Sequence, residues 1–91
     1  MRAKEFRNLE RLLKVLGSRR RLAILSALRS HGSMTVSDLA HAIDLSIFAT
    51  SQHLRILKSA EIVEDSRRGF HISYRLSLVQ APIVSQVLRS L

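Results

Sequence analysis

A chain of 91 residues with 15 Lys and Arg against 7 Asp and Glu, for a formal net charge of +8, has the size of one small domain and the charge of a partner for a polyanion. With no cysteine it can form no disulfide, thiolate metal site or thiol redox sensor, and no apolar run approaches the roughly 18 residues needed to span a bilayer. Hydrophobic residues are 46% of the chain but aromatics only 4%, so the core is expected to be aliphatic and supplied mainly by helices.

Phe6, Leu9, Leu13 and Leu16 recur at helical spacing with Arg7, Arg11 and Lys14 between them, which predicts a basic amphipathic helix over residues 4–16. Gly17 ends it. Ser18 is placed to cap a second helix through Leu22, Ile24, Leu25 and Leu28, and His31-Gly32-Ser33 supplies the turn chemistry that stops it. The first turn of that helix holds Arg19, Arg20 and Arg21. Cations there oppose the helix macrodipole, so an anion is expected nearby, and a DNA phosphate would serve. A solvated face is the alternative for each, and a structural role for Arg21.

Thr35-Val36-Ser37-Asp38 has the form of a capping box, the Thr35 hydroxyl taking a free N–H and Asp38 reaching back, and opens a third helix to about Ile43. Asp44-Leu45 makes a short turn, and Ser46 caps a fourth helix to about Ser59. Two helices joined so tightly predict a helix-turn-helix over residues 35–59. Residues 61–66 and 70–76 carry Ile62, Val63, Phe70, Ile72, Tyr74 and Leu76 around Arg67-Arg68-Gly69, which predicts a β-hairpin over 61–76. Pro82 suits the first turn of a last helix over 80–91, whose Ile83, Val84, Val87, Leu88 and Leu91 form a broad apolar face. The expected fold is mainly α with a small β-hairpin, in the order α-α-α-α-β-β-α. It is a single winged helix-turn-helix domain over residues 1–91.

The charge is uneven: residues 1–30 carry nine basic and two acidic side chains, residues 31–60 two of each, and residues 61–91 four and three. It flanks the fourth helix. On that helix Thr50, Leu54 and Leu57 fall on the inward stripe, while Phe48, Gln52, Arg55 and Ser59 lie opposite, facing a major groove. Gln52 can bond bidentately to adenine and Arg55 to guanine or a phosphate. Phe48 can meet thymine methyl groups, or else fold back along Ile47 or pack on a neighbouring first helix. Ile47 is expected in the core, and His53, beside the inward face, as a packed, hydrogen-bonded histidine. The expected DNA contacts are Ser46, Phe48, Thr50, Ser51, Gln52 and Arg55, with Arg67 and Arg68 at the hairpin tip and Arg19 and Arg20 on the second helix. Arginines at such a tip can enter a narrow minor groove or meet phosphates.

The ordered set Leu16-Gly17, Arg21-Leu22-Ala23-Ile24-Leu25, Thr35-Val36-Ser37-Asp38-Leu39-Ala40, Ser51-Gln52-His53-Leu54-Arg55-Ile56-Leu57-Lys58, Glu61-Ile62-Val63, Arg67-Arg68-Gly69 and Tyr74-Arg75-Leu76 resembles the arsenic-repressor (ArsR/SmtB) family of winged-helix regulators. The resemblance covers about residues 6–91. It implies a homodimer built from the first and last helices, with two recognition helices in successive major grooves of an inverted-repeat operator. The expected dimer interface is Phe6, Leu9, Leu13, Leu16, Ile83, Val84, Val87, Leu88 and Leu91. The residues support it independently, since both terminal helices are apolar at matching period; packing within one subunit is the alternative.

Metal-sensing members open the third helix with a cysteine pair and an acidic residue, where this chain has Thr35, Ser37 and Asp38. Another family site uses carboxylates and histidines on the last helix, and residues 80–91 contain none. No metal site of either kind is therefore expected, and no cofactor. Ser18-Arg19-Arg20 and Ile47-Phe48 also depart from the family pattern, which leaves the operator sequence open.

The leading expectation is a cytoplasmic, homodimeric, sequence-specific double-stranded DNA-binding repressor with no identified inducer. The alternatives are a winged-helix protein-interaction module, docking through Ile47-Phe48, and a nonspecific architectural DNA binder. Membrane association is not expected, and neither is catalysis, since no Ser-His-Asp or Cys-His pairing, glycine-rich phosphate loop or carboxylate cluster is present.

Overall fold

The computed structural model describes residues 1–91. Five helices and three strands follow in the order α1 (Ala3–Leu16), α2 (Arg19–His31), β1 (Ser33–Thr35), α3 (Val36–Ala42), α4 (Ile47–Ser59), β2 (Val63–Arg68), β3 (His71–Leu76) and α5 (Pro82–Arg89). The winged helix-turn-helix expectation holds, with one addition. The wing is an antiparallel sheet of order β1-β3-β2, because Ser33, Met34 and Thr35 pair with Arg75, Tyr74 and Ser73.

The expected caps are in place. Hydroxyl oxygens of Ser18, Thr35 and Ser46 accept from the backbone N–H of Arg21, Asp38 and Ala49 at 3.3, 3.1 and 3.1 Å. The Thr35 cap is one-sided, since the Asp38 carboxylate makes no hydrogen bond back to it, so the expected capping box is a single N-cap. Gly32, at φ +85°, closes α2 in a conformation that glycine adopts without strain.

Both helices of the helix-turn-helix end in Schellman motifs built without glycine. After α3, Asp44 (φ +53°) donates to His41 O and Leu45 to Ala40 O; after α4, Glu61 (φ +60°) donates to Lys58 O and Ile62 to Leu57 O. Burial of both Leu57 and Ile62 supplies the apolar contact that accompanies this motif. The first motif keeps the connection between α3 and α4 to Ile43–Ser46, and the second turns the chain directly into the wing.

The core joins Leu12 and Leu16 of α1, Ile24, Leu25 and Leu28 of α2, Leu39 of α3, Leu54 and Leu57 of α4, Met34, Ile62 and Val63 of the sheet region, and Val84 of α5. It contains no aromatic ring; Tyr74 packs against its edge, and the three phenylalanines are exposed. Two residues expected at a dimer interface belong instead to this core. Leu16 and Val84 are buried within the subunit, because α1 and α5 pack on each other and on α2. Phe70, expected on the apolar face of the hairpin, occupies the turn instead. Strand pairing runs through Arg68↔His71, which leaves Gly69 and Phe70 as a two-residue loop.

Candidate nucleic-acid interface

Helix α4 is anchored along one stripe and open along the other. Thr50, Leu54 and Leu57 are buried, whereas Phe48, Gln52, Arg55 and Ser59 are exposed and Ser51 is half-buried. Thr50 was expected among the DNA contacts and is withdrawn from them. Its side chain is fully buried, and its hydroxyl donates to Ser46 O at 2.8 Å, one turn back, where no groove edge can reach it. Ile47 departs in the opposite sense. It lies two turns before Leu54 on the inward stripe yet is 57% exposed, beside Phe48 at 63%. The first turn of α4 therefore runs past the body it packs on and presents Ile47, Phe48 and the exposed Ser46 outward together.

The three arginines at the start of α2 divide. Arg21 is structural: its Nε donates to Val15 O at 2.6 Å and Nη2 to Lys14 O at 3.3 Å, two carbonyls left without helical partners at the end of α1. Gly17 N–H covers Leu13 O, and Ser18 N–H covers Leu16 O. The cations unfavourable for the α2 dipole thus include one that is favourable for the α1 C-terminus. Arg19 and Arg20 remain exposed and line, with Ala23 and Ile43, a shallow recess beside the turn between α3 and α4.

Arg21 also reaches the recognition helix, its Nη1 lying 3.3 Å from His53 Nδ1. A guanidinium can only donate, so Nδ1 accepts and the neutral ring carries its proton on Nε2. Burial, then the charges of Arg21 and Arg20, hold the His53 pKa below its usual 6.5. The packed, hydrogen-bonded histidine expected here is found, tied to the end of α1.

On the wing, Arg67 and Arg68 are neighbours in β2 and therefore project to opposite faces of the sheet. Arg67 pairs with Ile72 on the face that carries Val63 and Tyr74 toward the helices; Arg68 pairs with His71 on the outer face. That outer face is wholly polar, with Ser33, Ser66, Arg68, His71, Ser73 and Arg75 around one shallow concavity. The period-two run of polar residues in both strands carried this signal in the sequence. Near the root of the wing, Lys58 of α4 pairs with Asp65 of β2 at 3.1 Å and Arg75 with Glu64 at 2.6 Å. Arg67 and Arg68 have no acidic partner.

The terminal helices keep an open apolar surface without Leu16 and Val84. Phe6, Leu13 and Leu91 are exposed, while Leu9, Ile83, Val87 and Leu88 are half-buried. Arg29 donates to Leu88 O and Leu91 O, which fixes the end of α5 against α2. No helix is long and apolar enough to cross a membrane, and no three His, Asp or Glu side chains come together to hold a metal ion.

A sequence model of the family described as bacterial regulatory protein, arsR family, matches residues 18–65, from the cap of α2 into the wing. The transcriptional repressor SdpR of Bacillus subtilis is 38% identical over 66 residues, spanning 72% of each chain. The arsenical resistance operon repressor of Escherichia coli is 36% identical over 66 residues, covering 72% of this chain and 56% of that protein, so the likeness spans little more than half of the latter. Among solved structures, the homodimeric winged helix-turn-helix DNA-binding domain of Mb0332 from Mycobacterium bovis, itself a possible ArsR-family regulator, superposes with a TM-score of 0.81 at 30% identity, over 97% of this chain and 78% of that one. Sequence and architecture agree: the chain belongs to the arsR family of bacterial regulatory proteins, a family of DNA-binding transcriptional regulators and not of enzymes.

Proposed function

We propose that two copies of this chain pair through α1 and α5 and bind an inverted-repeat operator as a repressor, competing with polymerase for promoter DNA in the cytoplasm. The observation that carries this reading is the divided surface of α4. Phe48, Gln52 and Arg55 are exposed along one side while Thr50, Leu54 and Leu57 lock the other into the core. A helix held in this way presents base-reading side chains on a rigid support, Gln52 toward adenine and Arg55 toward guanine, with Ser46 and Ser51 at the first turns. Arg19 and Arg20 beside the turn, and Arg67 and Arg68 on the wing, supply phosphate and minor-groove contacts to either side. Phe6, Leu9, Leu13, Ile83, Val87, Leu88 and Leu91 supply the surface that a second copy covers. These 91 residues include no thiol, so none of them can hold an inducer through a thiolate.

Selection of bound duplexes from a random pool tests this directly. An enriched inverted repeat, with half-sites about one helical turn apart, is the expected result. Affinity for it should fall about 10³- to 10⁵-fold between 50 and 200 mM salt if each dimer covers ~6–10 phosphates. Recovery of no preferred sequence would overturn the specificity claim. The adjacent exposure of Ile47 and Phe48 favours one second reading, a protein-docking surface. Phe48→Ala separates the two: loss of operator affinity supports base readout, and unchanged operator affinity supports docking.

A further inference from the structure

Phe70 is the most exposed large hydrophobic side chain of the protein, at 104% of its reference surface, so its ring is without packing partners in its own subunit. Its position is built rather than accidental. Gly69 takes φ +60° at the first central position of the two-residue turn, and Phe70 follows with a negative φ, the pattern of a type II′ hairpin. Pairing below the turn is unbroken from Val63↔Leu76 to Arg68↔His71, so the ring is carried on a stiff support. Residues 66–71 are exposed throughout, and the strand segment 66–68 gives the tip a free reach of roughly 10 Å. B-form DNA has a minor groove ~6 Å wide and ~7.5 Å deep, too narrow for a paired hairpin whose strand axes alone lie ~4.8 Å apart, so the turn meets its rim and only a side chain projecting from the tip enters it.

The chemistry around the ring narrows its partner. Arg67, Arg68 and His71 are the last strand residues below the turn that carries it, while the nearest carboxylates in sequence, Glu64 and Asp65, are engaged by Arg75 and Lys58. An apolar ring at a hairpin tip, with two guanidiniums free of acidic partners on opposite faces of the strand just below it, fits a polyanion with an apolar interior open between its charged rails. The sheet packs mainly on α2, α3 and α4, so the tip is not part of the α1 and α5 surface assigned to a second copy. We propose that Phe70 is a minor-groove wedge: the wing places its ring against a base step, partly unstacks it and kinks the duplex, while Arg67 and Arg68 hold the flanking phosphates. The inference rests on the DNA-binding reading above and adds a residue and a source of specificity to it. Pyrimidine–purine steps unstack most easily, so the wedge selects TA or CA steps at a place where no side chain hydrogen-bonds to a base.

The test uses the full chain and the duplex recovered by selection, with 2-aminopurine substituted singly through the flank half a turn from each recognition half-site. Binding of the native protein is expected to raise 2-aminopurine fluorescence at one step and to shorten the end-to-end distance seen by energy transfer. Phe70→Ala, at a residue without contacts, is expected to keep its melting temperature and its salt slope, to lose both signals and to bind about 5- to 150-fold more weakly, the range for loss of one ring–base stack. Phe70→Leu should retain part of the unstacking. If the native protein binds the selected duplex without unstacking it, and Phe70→Ala binds equally well, the wedge is overturned and the DNA-binding reading stands. If selection enriches no duplex, that reading fails and the wedge fails with it. Phe70-dependent binding to anionic lipid vesicles, with the duplex left stacked, would assign the ring to a membrane surface and also overturn the proposal.

Discussion

Replacing Arg21 by Met keeps the aliphatic stem and removes the guanidinium, which isolates what its hydrogen bonds contribute. Two of them close the end of α1 at Val15 O and Lys14 O, and the third reaches His53 on the recognition helix. A charge-assisted bond to a partly buried carbonyl contributes about 1.5–3 kcal/mol net, and the exposed bond to Lys14 O a fraction of that. A total loss of about 2–3 kcal/mol follows, and for a domain of this size it lowers the melting temperature by roughly 8–24 °C. Circular dichroism melts at fixed protein concentration measure it. The same variant removes one of the charges that depress the His53 pKa, so the ring should titrate closer to 6.5 by NMR, still held below it by burial and Arg20. The two readouts are coupled by geometry: a melting point within about 2 °C of the native protein, or an unmoved His53, would refute the assignment of Arg21 as the clamp between α1 and α4.

The same histidine sets a pH dependence. Because the native pKa lies below 6.5, the unfolded chain binds more protons in the interval between the two values, so stability is fully present above pH 6.5 and declines as pH falls through it. A pH series of melts should show this decline, smaller in His53→Gln, and an equal decline in the variant would assign it elsewhere. Gln52→Ala and Arg55→Ala, at exposed positions, should leave melting unchanged while each loses about 1–3 kcal/mol of discrimination at one base position; an even loss over all sequences would mean phosphate contacts instead. Arg68→Ala should reduce the slope of log affinity against log salt by about one per protomer, and an unchanged slope would place Arg68 off the backbone. Glu61→Gly relieves a left-handed residue costing ~1–2 kcal/mol but restores ~0.5–1 kcal/mol of unfolded-chain freedom. The net gain of about 0.5–1 kcal/mol should raise the melting temperature by ~2–8 °C, and a fall would show that the Glu61 side chain is itself stabilising.

What the sequence made legible was local. Ser18, Thr35 and Ser46 announce helix starts because a hydroxyl cap needs only the N–H three residues on, and Leu54 and Leu57 announce an inward stripe because the helix repeats every 3.6 residues. Strand β1 has no such signature. Ser33-Met34-Thr35 looks like the end of a turn and becomes a strand only by pairing with β3, some forty residues away. Ile47 shows the limit of periodicity, which gives the direction of a side chain but not whether anything lies there. Phe70 has the same parity as Ile72, Tyr74 and Leu76 and so reads as strand, until the register assigns it to the turn. Arg21 meets His53 across 32 residues of sequence, a distance over which no spacing rule operates.

The placement of the rings separates folding from recognition. Interhelical contacts in a core this small are filled by Leu, Ile and Val, and the three phenylalanines stand outside it on α1, on α4 and at the wing tip. An aromatic side chain can bury 150–250 Å² of surface, so three left exposed forgo a large share of the burial available to a domain of this size. That loss can be recovered by contact with other molecules, and the proposed partners are a second copy for Phe6, the major groove for Phe48 and the minor groove for Phe70. Substitutions at Phe48 and Phe70 should then change binding at constant melting temperature, whereas Phe6→Ala should make melting more dependent on protein concentration by weakening the dimer. Arg21 lies on the other side of this division, since it closes α1 and touches α4 at once, so its loss cannot change one property without the other.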